Sequence, residues 1–109
     1  MEGMELKSFE IISSAGMAKS CFLEAIQLAG EQRYEDAEAK LEEGSQAFIQ
    51  GHQSHAGIIQ QEAAGNPVVM SLLLTHAEDQ MMSAELCHVM AKELLHLYRK
   101  LGASNEAHH

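Results

Sequence analysis

Four polar residues interrupt an otherwise apolar helical face: His76, Asp79, Gln80 and Ser83. At about 100° per residue, with His76 at zero, Asp79 lies about 60° away and Gln80 and Ser83 fall in the same arc. Around them that half of the wheel carries Val69, Leu72, Leu73, Met90, Ala91, Leu94, Leu97, Tyr98 and Leu101. Glu78, Glu85, Lys92 and Arg99 form a charged line on the other side. Polar groups are costly to bury unless they are paired or used, so such a break in patterning marks a functional or strained site. An imidazole is a good nucleophile at neutral pH, because a useful fraction is unprotonated. It can take a phosphoryl group and give it up again. A carboxylate one turn away could orient it or stabilise its charge, and Gln80 and Ser83 can hydrogen-bond. The same residues could instead ligate a metal or close a buried polar layer. Residue types alone leave these three readings open.

Other candidate sites are weaker. Glu85-x-x-His88 and Glu93-x-x-His96 have the spacing used in di-iron bundles, but that site needs the motif on two helices. Both copies here fall on one helix, with Glu85 and His96 on its charged side. His52 and His55 are three apart, with no obvious cysteine or acidic third ligand for zinc. They read as one exposed histidine and one hydrogen-bonded histidine at a helix interface. Met70, Met81, Met82 and Met90 read as adaptable core filling. No phosphate-binding glycine loop or nucleophile elbow is present.

Three helices must position these groups. The first is expected from about Glu5 to Ala29, where Ile11, Ala15, Ala18, Phe22, Ala25 and Ala29 recur at 3–4 spacing. Gly30 would end it. The second is expected from about Tyr34 to Ala64, on the stripe Tyr34, Ala37, Leu41, Gly44, Phe48, Gly51, His55 and Ile58. Its acidic first half suits the positive end of the helix dipole. Gly65-Asn66-Pro67 is a stop, a turn and a restart, with Asn66 as cap and Pro67 as the first helical residue. The third helix would then run to about Leu101, with residues 102–109 a frayed tail. Short connections imply an all-α, up-down-up antiparallel three-helix bundle as one domain over residues 1–101. The apolar arc of the third helix, near 180° wide, exceeds what a bundle seam needs and suggests packing against other subunits.

Composition narrows the partners. The 109 residues suit one domain. Hydrophobic residues make up 46%, with no Trp and one Pro, which favours long helices over strands. The net charge of −9 disfavours nucleic acid and anionic membrane surfaces and suits a partner with a basic docking face. No run approaches a membrane span, and Met1-Glu2-Gly3-Met4-Glu5 does not resemble a signal peptide. Cys21 and Cys87 read as two buried thiols in a reducing cytoplasm.

Two segments carry a family resemblance. The run from Gly51 to Gly65, Gly-His-Gln-Ser-His-Ala-Gly-Ile-Ile-Gln-Gln-Glu-Ala-Ala-Gly, precedes Ser71-Leu72-Leu73-Leu74-Thr75-His76-Ala77-Glu78-Asp79-Gln80-Met81-Met82. Together they resemble the enzyme IIA component of the lactose/cellobiose class of the bacterial sugar phosphotransferase system. Ala15-Gly16-x-Ala18 and Glu24-Ala25 resemble its first helix, and the likeness extends roughly from Leu6 to Leu101. The resemblance implies a homotrimer. It implies that His76 accepts phosphate from the phosphocarrier HPr and passes it to a cysteine of enzyme IIB. It implies that three copies of Asp79 meet at the trimer axis, where Mg²⁺ or another divalent cation can sit. Two residues depart from the family pattern. Glu78 stands where Gln is usual; it is expected to point outward with little effect. Gln80 stands where His is usual; it keeps hydrogen bonding but cannot become cationic. The rival reading is a non-catalytic helical adaptor in which His76 and Asp79 form an enclosed structural layer.

Overall fold

The computed structural model describes the backbone of residues 3–107 and the side chains of residues 3–104. Three helices fill it: α1 (Gly3–Gly30), α2 (Tyr34–Ala63) and α3 (Leu72–Ala107). They form the expected up-down-up bundle, 63 Å long and 23 by 20 Å across.

The turns follow from backbone hydrogen bonding. At the end of α1, the Arg33 N–H donates to Leu28 O at 3.0 Å and the Gln32 N–H to Ala29 O at 3.0 Å. This paired closure needs a left-handed residue, and Gln32 supplies it at φ 65°. Gly30 was expected in that role but remains helical. The Tyr98 ring packs beside it, 3.6 Å from where a Cβ would stand, an ordinary contact distance. At the end of α2 the same closure recurs, with Asn66 N–H to Gln61 O and Gly65 N–H to Glu62 O. Gly65 takes the left-handed position at φ 90° without steric cost.

The start of α3 differs from the expectation. Asn66 and Pro67 do not begin the helix; residues 66–71 stay non-helical. Ser71 is the cap, its Oγ accepting the Leu74 N–H at 3.1 Å. The preceding Val68-Val69 pair is stiff at χ1 and favours extended backbone, so Ser71 wins over Asn66. The other end also differs, because α3 continues past Leu101 to Ala107. Gly102 is buried against Tyr34, whose hydroxyl donates to Tyr98 O at 3.2 Å. That contact holds the last turns in place. Residues 108–109 of the expected tail, and residues 1–2, lie outside the described residues.

The core is a seam of small side chains punctuated by large ones. Ile11, Ala15, Ala18 and Phe22 of α1 meet Ile58 of α2 and Leu74, Ala77, Met81, Ala84 and Ala91 of α3. A second cluster gathers Ala25, Ala29, Ala37 and Leu95. Alanine brings the helix axes close, and Gly44 closer still: a Cβ there would lie 2.5 Å from the Phe22 ring. The face of α3 that enters this core is not the one expected. Leu74, Ala77, Met81, Ala84 and Leu95 are buried, whereas Leu72 is 86% exposed, Met82 70% and Leu86 63%. The intramolecular face is therefore rotated by roughly a quarter turn, with His76 at its edge.

Candidate functional site

His76 lies one turn into α3, just after the Ser71 cap, and its side chain is exposed. With Leu72 and Leu73 it lines an open depression of ≈ 560 Å³. The non-helical strap before α3 adds apolar surface next to it, with Val69 83% exposed. The imidazole thus stands in solvent at the border of two apolar surfaces. One is the core seam. The other is an uncovered stripe made of Leu72, Met82, Leu86, Val89, Met90, Leu97 and Leu101. Asp79 is exposed in line with that stripe.

The polar contacts nearby belong to the neighbours of His76. Glu78 does not point outward: it is half-buried, and its Oε1 lies 3.4 Å from Nε2 of His55 on α2. This corrects the expectation for Glu78, whose position on the wheel falls on the α2 side once the core face is rotated. His55 is the expected interface histidine. His52 is exposed and lies against Phe48, ring centroids 5.9 Å apart. Gln80 is half-buried and accepts from Lys19 Nζ of α1 at 3.4 Å. The Asp79 carboxylate and the His76 ring, one turn apart, share no hydrogen bond or ion pair among the described residues.

His88, the histidine of the Glu85-x-x-His88 spacing, is half-buried at the helix seam. It stacks on Phe22 with centroids 4.5 Å apart, and its Nε2 lies 3.2 Å from Ser45 Oγ. Desolvation, and then the Lys92 charge, lower its pKa below the ordinary histidine value. Its ring is engaged by Phe22 and Ser45 at the helix seam while Glu85 is exposed, so the two residues of Glu85-x-x-His88 do not converge on a ligand site. Cys21 and Cys87 are free. Burial first, and the Glu43 carboxylate next, push the Cys21 thiol up, away from nucleophilic thiolate. Among the described residues no three His, Cys, Asp or Glu side chains gather to hold a metal ion within one chain.

These features define an all-helical chain with an exposed imidazole, His76, at the edge of a partly apolar, uncovered face. Residues 6–99 match the family model for the lactose/cellobiose-specific IIA subunit of the phosphotransferase system, and the chain belongs to that family. Subunits of this family are phosphotransferase components of the sugar-uptake system. The chain is 32% identical, over 89% of its length and 93% of the relative, to a lactose-specific EIIA component of Staphylococcus epidermidis. It is 36% identical, over 92% of its length and 91% of the relative, to the lichenan-specific enzyme IIA component of Bacillus subtilis. Relatives named for different sugars stand at similar identity, so likeness at this level follows the family and not the sugar. The fold superposes on the crystal structure of the cellobiose-specific enzyme IIA of Bacillus anthracis with a TM-score of 0.91, at 33% identity, covering 94% of each chain. Among the described residues no helix is long and apolar enough to cross a membrane.

Proposed function

We propose that this chain is a cytoplasmic phosphocarrier in which His76 takes a phosphoryl group from phospho-HPr and hands it to a cysteine of enzyme IIB. The observation that carries the reading is the exposure of His76 in an apolar surround. A relay must bring its nucleophile against two partners in turn, whereas a structural His/Asp layer would be enclosed. In the first transfer a lone pair on the His76 imidazole attacks phosphorus. The N–P bond on HPr breaks, and the donor ring keeps the electron pair. In the second, a IIB thiolate attacks the same phosphorus, and the pair returns to His76. Such transfers depend on positioning and charge stabilisation more than on covalent assistance. Docking of Leu72, Leu73 and Val69 against the partner would exclude water that otherwise hydrolyses phosphohistidine. The net charge of −9 suits partners with basic docking faces.

The reading includes a homotrimer. The uncovered stripe on α3 runs from Leu72 to Leu101 and is mostly apolar, broken by Asp79 and Glu93, and a threefold assembly would cover it. Asp79 lies in line with this stripe and forms no ion pair among the described residues. One chain supplies only one such carboxylate, so a cation site would be assembled from Asp79 of three copies. Carboxylate oxygens suit a hard divalent cation such as Mg²⁺. Its contribution there would be to neutralise three like charges, with no part in the transfer itself. The test of the relay is transfer in sequence: phosphoenolpyruvate, enzyme I and HPr should label this chain, and the labelled chain should then label the IIB cysteine. Label that stays on this chain in the presence of competent IIB would contradict it.

A further inference from the structure

The seam between α1 and α3 holds a cation on Gln80, one turn from His76, that the relay has not yet used. Lys19 Nζ reaches from α1 to Gln80 Oε1 at 3.4 Å. A lysine offers only donors, so the amide oxygen must be the atom that faces it. Gln80 follows His76 by four residues, one turn further along nearly the same side of the helix.

What sets Lys19 apart is its partner: it crosses from α1 to an amide oxygen on α3 and not to a carboxylate. The chain has seven Lys and Arg against sixteen Asp and Glu. Arg33, Lys40 and Arg99 each lie within 4 Å of a carboxylate, at 2.9, 2.9 and 2.7 Å. Lys19 is half-buried, and among the described residues it lies within that reach of none. A partly desolvated ammonium held by a neutral amide recovers only part of its hydration.

The reach is also directed. The Phe22–His88 stack and the approach of Tyr98 to Gly30 show that α1 and α3 run parallel. They put Lys19 level with the turn around Glu85, so touching Gln80 takes its side chain more than a turn back toward His76. Helical side chains tilt toward the N-terminus, which favours that direction.

We propose that Lys19 and Gln80 form the cradle for the phosphoryl group on His76; this rests on His76 being the acceptor. In the unphosphorylated chain Lys19 rests on the Gln80 oxygen. When the dianionic phosphoryl group arrives, the ammonium exchanges that neutral acceptor for a phosphoryl oxygen. The Gln80 amide nitrogen donates to a second. The ammonium–amide bond carries charge on the donor only; a phosphoryl oxygen puts charge on both partners and makes the contact an ion pair. The cation from α1 thus supplies the positive charge that Gln80 cannot.

The test is the equilibrium of phosphoryl exchange between phospho-HPr and the full chain, with the ³¹P shift of the phosphohistidine as a second readout. Lys19→Met should move the equilibrium about tenfold toward phospho-HPr and change the ³¹P shift. Lys19→Gln, a more polar replacement in case Lys19→Met folds poorly, should do the same. Lys19→Arg keeps a cation and should restore most of the equilibrium. Helicity and melting temperature of each variant separate this effect from loss of fold. If the parent labels on His76 and folded Lys19→Met and Lys19→Gln reach the parent's equilibrium, the cradle is wrong and the relay stands. If the parent takes no phosphate on His76, the relay falls and the cradle with it.

Discussion

The imidazole of His88 lies nearly parallel to the Phe22 ring, 10° between planes, while its Nε2 shares a 3.2 Å hydrogen bond with Ser45. One side chain on α3 is therefore tied to both α1 and α2. Burial, and then Lys92, favour its neutral form. The sign for stability follows from linkage. The unfolded chain binds a proton at this site near the ordinary histidine value of about 6.5, and the folded chain only at lower pH. The stabilisation is therefore fully present above about pH 6.5 and is lost as pH falls through the lowered folded value. Thermal melts from pH 8 to 5 should show the parent losing stability on the acid side. His88→Gln should be less stable at pH 8 and show a shallower loss. Equal acid slopes in the two proteins would contradict the assignment.

Assembly is tested on the stripe. Leu86 is 63% exposed in a single chain and stands amid other uncovered apolar residues. Covering a Leu side chain of this kind contributes about 1–2 kcal/mol per subunit. Replacing it by Asp adds the cost of burying three carboxylates at a symmetric contact. The parent should scatter light as three chains at micromolar concentration, and Leu86→Asp as one chain with its helical circular dichroism retained. A parent that runs as a monomer would contradict the trimer.

Asp79→Leu gives a different outcome from Leu86→Asp. Three carboxylates near one axis repel, and replacing buried ionic groups by packed apolar ones is often neutral or stabilising. Asp79→Leu should form a trimer at least as stable as the parent. EDTA should lower the parent's melting temperature and leave that of the variant unchanged. His76 of the variant should still accept phosphate, because its ring nitrogen needs no metal. Dissociation of the Asp79→Leu trimer would mean that Asp79 makes a required polar contact, and the axial arrangement would be wrong.

The outline of the bundle was legible because its causes are local. The 3–4 spacing through Ile11, Ala15, Ala18 and Phe22 marks a helix and its buried face, and that face is buried. The stop at Gly65 follows from its own backbone freedom. The phase of α3 was not legible. Leu74, Ala77, Met81 and Ala84 face the bundle, while Leu72, Met82, Leu86 and Leu97 are uncovered, and both sets are apolar. Hydropathy alone cannot separate a face that meets the same chain from one left for another. The small size of Ala77, Ala84 and Ala91, matching Ala15 and Ala18 across the seam, was the available signal. That error of phase also misplaced Glu78, which meets His55. His76 stood out in the sequence because one polar cluster broke an apolar pattern, and the chain places it exposed at the edge of an apolar surface. Lys19 was missed because it acts from another helix, through a long side chain, and spacing along one helix carries no trace of that.

The central claim is a phosphoryl group on one histidine among seven. The most direct measurement is the site of labelling after incubation with phosphoenolpyruvate, enzyme I and HPr, mapped by fragment mass spectrometry under alkaline conditions. The predicted result is one acid-labile, alkali-stable phosphoryl group on the imidazole of His76, absent from His76→Ala. Phosphate on His52 or His55, or no labelling in the presence of competent HPr, would contradict it.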